Sequence, residues 1–135
     1  MTLAELRVDA VILACAVSAG IHGALVPDHF AEGLGPGLGF AAATVLLATL
    51  AAAITLRPGS ELPLAGAAIV LFGLLASYAL ATTVGVPFLH PDPEPVDGLG
   101  LTTKAVEAAG LLAAASLIRR PRIAVIYPRL KGTVT

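Results

Sequence analysis

Cysteine occurs once in this 135-residue chain, at Cys15, and tryptophan does not occur. One cysteine inside an apolar run excludes an internal disulfide framework and a Cys-based zinc knuckle. Charged residues are scarce as well, at 13%, against about 25% in an ordinary soluble domain. The net charge is −1 and the isoelectric point about 6.2, so there is no basic footprint for nucleic acid. Phosphate loops, dinucleotide fingerprints and zinc-protease motifs are absent. What fills the chain instead is hydrocarbon: 57% of residues are apolar, and mean hydropathy is +0.91. A domain of this size buries too small a fraction of its surface to hide that much. Lipid is the expected cover.

Four long apolar runs carry the pattern, at about residues 8–26, 38–56, 64–86 and 99–118. Each is long enough, at ~1.5 Å per residue, to cross a hydrocarbon core of ~30 Å. Pro27, Pro36, Pro58 and Pro63 stand at the joints, where a missing N–H is tolerated, and Pro27 is expected to end the first helix. Short connections make consecutive helices antiparallel neighbours. The expected fold is all-α, a single domain over 1–135, built as a four-transmembrane-helix up-down-up-down bundle with a basic tail at 119–135. The leader MTLAELR holds Glu5 and one basic residue, which reads as the start of a membrane anchor rather than of a signal peptide.

Charge orients the bundle. Seven of the eight Lys and Arg (Arg7, Arg57, Arg119, Arg120, Arg122, Arg129 and Lys131) fall at the termini or between the second and third runs. The other two loops have none, and carry Asp28 and Glu32 in one and Asp92, Glu94 and Asp97 in the other. The positive-inside rule then places both termini in the cytoplasm and the acidic loops outside the plasma membrane. The basic tail is expected to lie on the anionic inner leaflet.

Polar side chains inside the runs concentrate in the outer half. Glu107 lies twelve residues before Arg119, ~18 Å at ~1.5 Å per residue, and Lys104 can pair with it at i,i+3. Tyr78, Thr44, Ser18 and His22 fall at similar depth, whereas the inner half offers only Cys15, Thr49, Thr55 and Ser116. An ionisable side chain in a membrane helix is expensive, which makes Glu107 the first functional candidate. A purely structural alternative has Lys104 reaching outward while Glu107 bonds to Tyr78 or Thr44 and fixes helix register. Ser18, Gly20 and Ala24 mark a small-residue stripe suited to close helix approach.

All three histidines fall on the expected outer side: His22 in the first run, His29 in PDHFAEG and His90 in FLHPDPEPVDG. With Asp28 and Glu32 they form an imidazole and carboxylate set suited to a divalent cation such as Zn²⁺ or Cu²⁺. A haem with His22 as axial ligand ranks below these, since no second histidine lies deep in the bundle.

The runs SAGIHGALVPDHFAE and ATTVGVPFLHPDPEPVDGLGLTTKAVEAAGLL, with the four-span layout, resemble small integral membrane proteins found mainly in actinobacteria. The resemblance covers most of residues 15–115. It implies functional weight at His22, Asp28, His29, Glu32, the Pro91–Pro95 region and Glu107, and names no chemistry. Similarity to vitamin K epoxide reductase-like enzymes stops at helix count, because those need cysteine pairs. The leading functional expectation is an outward-facing site for a transition metal or small polar ligand. An accessory subunit of a larger respiratory or transport complex, or an ion-coupled transporter working as a homo-oligomer, are the alternatives. An enzyme is the least supported class.

Overall fold

In the computed structural model of the chain, residues 1–86 and 92–118 are described. They form four helices: α1 (Leu3–Glu32), α2 (Leu34–Leu56), α3 (Glu61–Thr83) and α4 (Gly98–Ile118). All four are long and apolar enough to cross a membrane. His90 and the basic tail lie outside the described residues.

Local sequence sets each boundary. Thr2 opens α1 through a reciprocal cap: its hydroxyl accepts from the Glu5 N–H at 3.2 Å, and the Glu5 carboxylate accepts from the Thr2 N–H at 2.6 Å. Contrary to the sequence expectation, α1 runs straight through Pro27 and ends at Glu32. The proline costs one hydrogen bond, to the Gly23 carbonyl, but the turn beyond it is held by its own packing. There the Phe30 ring covers Gly37, where any Cβ would collide with it, and His29 stacks on Phe40 at 3.5 Å between ring centroids. Asp28, His29 and Glu32 therefore sit in the last turns of α1 rather than in a loop, and only Gly33 separates the two helices.

α2 closes at Arg57, and a tight turn, with the Ser60 N–H donating to the Arg57 carbonyl at 3.0 Å, leads into α3. α3 stops at Thr83, three residues short of the expected end, because Gly85 adopts a left-handed backbone with φ of 74°. Asp97 caps α4, its carboxylate accepting from the Gly100 N–H at 2.7 Å.

The helices form a ring in chain order. α1 packs along α2 and α4, α3 packs on α4 and less extensively on α2, and α1 and α3 face each other across the diagonal. One residue links α1 to α2 and a four-residue turn links α2 to α3, and α4 returns along α1 and α3, so the order is up-down-up-down. The dry centre holds Val11, Cys15, Leu47, Ile54, Ala67, Leu71 and Ala114, each fully or almost fully buried. Outside stand Leu13, Val45, Leu46, Ile69, Phe72 and Leu112, all more than half exposed. Several hydroxyls within the spans bond back to their own helix, as Thr44 does to the Phe40 carbonyl and Thr55 to the Ala51 carbonyl. That is how hydroxyls are satisfied without water. Apolar residues outside, with Ser18, His22, Thr103 and Glu107 buried, are a distribution compatible with an integral membrane protein.

Candidate functional site

The polar group lies toward the end of the bundle where α1 meets α2. His22 is ten residues before the end of α1 and Glu107 nine after the start of α4, so both lie ~14–15 Å in from that end at ~1.5 Å per residue. What lets them meet is a close helix approach. Gly110 on α4 faces Ala14 on α1, and a Cβ on Gly110 would overlap the Ala14 Cβ. One turn along from that contact on each helix stand Ser18 and Glu107.

Glu107 is fully buried. Its Oε1 accepts from the Ser18 hydroxyl at 2.6 Å, and its Oε2 accepts from Lys104 Nζ at 2.6 Å. Both oxygens act as acceptors, as an ionised carboxylate requires. Lys104 turns inward to make this bond, with only 15% of its side chain exposed. The register alternative in which Glu107 bonds to Tyr78 or Thr44 does not occur: Thr44 bonds to the Phe40 carbonyl, and the Tyr78 hydroxyl has no partner.

His22 completes the group. Its Nδ1 is 2.9 Å from the Ser18 carbonyl, 3.3 Å from the Ser18 hydroxyl and 4.0 Å from Glu107 Oε1. A carbonyl can only accept, so Nδ1 carries the hydrogen, and the Ser18 hydroxyl keeps its own for Glu107. The neutral ring then holds its lone pair on Nε2, which makes no hydrogen bond among the described residues.

Tyr78 approaches from α3. Lys104 Nζ lies 5.5 Å from the centre of its ring, within reach of a cation–π contact. The phenol oxygen is buried and unpaired, and lies against Gly100, where a Cβ would stand 3.0 Å away. A glycine here is what admits the ring tip. The structure thus gathers Ser18, His22, Lys104 and Glu107, with Tyr78 beside Lys104, and leaves Thr44 on the α1–α2 seam against Gly23.

The remaining candidates do not join them. His29 Nδ1 donates to the Leu25 carbonyl at 2.9 Å, and its Nε2 is 4.0 Å from Glu32. The Phe40 ring touches both histidines, stacked on His29 and tilted at 5.1 Å from His22. Asp28 is exposed. Among the described residues, no three of His, Cys, Asp and Glu are grouped to hold a metal. The sequence pattern also misassigned the packing stripe: Gly20 and Ala24 are exposed, with open space around Gly20, and Ala14 with Ser18 forms the contact face instead. Gly100 and Gly110 were legible only as glycines in an apolar run. Their spacing from Lys104 and Glu107, four and three residues, is the signal that marks them.

Comparison of the chain with family models, with curated proteins and with solved structures gives no match.

Proposed function

We propose that the chain is a multi-pass plasma-membrane protein, with both termini cytoplasmic, that binds a small polar ligand at the Ser18–His22–Lys104–Glu107 group. The observation that carries this reading is the buried, unpaired Tyr78 hydroxyl beside Lys104. A polar atom out of water with no partner costs about 1–3 kcal/mol, and a partner that enters the bundle would recover it. His22 Nε2 supplies an acceptor at the same end, so a molecule bearing both a hydrogen-bond donor and an acceptor suits the pair. Among the two occupants raised by the sequence, a polar ligand fits better than Zn²⁺ or Cu²⁺, because Phe40 sits against both His22 and His29 and the carboxylate of Glu107 is already taken by two donors.

The test is native mass spectrometry with metal analysis on protein purified in mild detergent. Wild-type protein retains a small molecule, and Tyr78→Phe and His22→Ala each lose it. One equivalent of metal that His22→Ala removes would favour the metal reading. Wild-type protein that carries neither would reduce the group to a structural role.

A second reading is supported by α3, whose most apolar stretch is the least covered of the four. Its exposed Ile69, Phe72, Gly73 and Ser77 suit packing against another membrane helix, in an accessory-subunit role or a homo-oligomer. Crosslinking in native membranes checks it: a fixed partner joined through α3 supports the reading, and a monomer contradicts it.

A further inference from the structure

At the opposite end of the bundle, α2 and α3 leave a groove of about 550 Å³, lined by Leu50, Ala53, Leu56, Leu62, Pro63 and Gly66, with Arg57 and Ser60 at its rim. We propose that this groove is a binding site for one anionic phospholipid, its phosphate at Arg57 and Ser60 and an acyl chain laid along the α2–α3 wall. The inference rests on reading the chain as membrane-spanning, and it concerns a site separate from the polar group.

Three observations select that occupant. First, the polar rim and the apolar wall are arranged by depth. Arg57 and Ser60 stand at helix ends, in the turn, while Leu50 lies seven residues further into the span, ~10 Å at ~1.5 Å per residue. An amphiphile aligned with the bilayer has the same order, head at the turn and chain beyond it. Second, the charge is complementary and uncommitted. Arg57 is exposed and makes no ion pair among the described residues, and a guanidinium in that state matches a phosphate in a two-pronged geometry. Third, Ser60 occupies the N-cap of α3 without using its hydroxyl for a cap bond. Its side chain and the backbone N–H groups of Glu61 and Leu62 stand at the positive end of the helix dipole, while Pro63 adds no donor and the Glu61 carboxylate shares the turn.

The wall has an identifiable origin as well. Gly66 has no side chain, and the Leu50 methyl leans over it, 3.0 Å from where a Cβ would be. Together with Ala53 this keeps the floor of the groove low. α2 and α3 are also the least intimately packed pair of neighbours in the ring.

The experiment is native mass spectrometry of full-length protein released from nanodiscs containing equal phosphatidylglycerol and phosphatidylcholine. Retention of one phosphatidylglycerol in preference to phosphatidylcholine is expected. Arg57→Gln weakens that preference about fivefold, the effect of one interfacial cation, and Ala53→Phe abolishes retention of the lipid by filling the groove. Should Ala53→Phe fail to insert, Arg57→Gln decides alone, since its side chain is exposed. Inorganic phosphate at millimolar concentration leaves the lipid in place, because the headgroup alone lacks the wall contacts. Equal retention of the two lipids, unchanged by Arg57→Gln, overturns the proposal. So does displacement by phosphate, or a dimer that covers the groove. None of these outcomes bears on whether the polar group at the other end binds a ligand, which is read from Tyr78→Phe and His22→Ala.

Discussion

Glu107 owes its place to donors from two helices, Ser18 across the α1–α4 contact and Lys104 one turn away on its own helix. The two bonds differ in consequence. Interhelical hydrogen bonds in membranes average ~0.6 and reach ~1.7 kcal/mol, and one to a carboxylate belongs at the upper end. Ser18→Ala is therefore expected to cost about 1–2 kcal/mol in unfolding free energy, measured by detergent-titrated unfolding. Lys104→Met leaves a buried carboxylate without its counter-charge and costs more, about 3–5 kcal/mol. The paired change Lys104→Met with Glu107→Leu costs less than Lys104→Met alone, because removing both charges is cheaper than stranding one. A double change costlier than the single would show that the pair is not buried together. Tyr78→Phe runs the other way: removal of an unpaired hydroxyl raises the stability of ligand-free protein by about 1 kcal/mol, read in the same assay.

At the scale of the helix, the Ala14–Gly110 contact is the geometric condition for the polar group. Gly110→Ala puts a methyl onto Ala14 and is expected to cost about 1–3 kcal/mol through overpacking. Adding Ala14→Gly restores the space and recovers most of the loss, a swap that the thermal midpoint in detergent checks. Pro27→Ala is expected to be neutral or stabilising, since α1 is already continuous there and the change returns an N–H for the Gly23 carbonyl. The four helices were legible in the sequence because hydropathy over twenty residues is a strong signal, and the Lys104–Glu107 pair because i,i+3 spacing fixes it. The continuation of α1 through PDHFAE was not, since it depends on Phe30 finding Gly37 and His29 finding Phe40 on the next helix. Nor could the sequence show that Ser18, rather than Thr44 or Tyr78, reaches Glu107. All three lie at comparable depth, and only the rotation of each helix about its axis separates them.

The whole molecule is an apolar cylinder with charge at its ends and one charged group inside. The orientation proposed above, with both termini cytoplasmic, rests on the positive-inside rule, and cysteine labelling in intact cells tests it. Native Cys15 is fully buried and stays silent. Glu94→Cys, in the segment between α3 and α4, reacts with an impermeant maleimide added outside, and Ser60→Cys, in the α2–α3 turn, reacts only after permeabilisation. The reverse pattern would invert the molecule. The most direct test of the account as a whole is solid-state NMR of labelled protein in lipid bilayers, measuring contacts of the Glu107 carboxyl carbon. The structure predicts through-space correlations to Ser18 Cβ and to Lys104 Nζ, and no polarisation transfer from lipid chains. Correlations from that carbon to acyl methylenes, without any to Ser18, would contradict it.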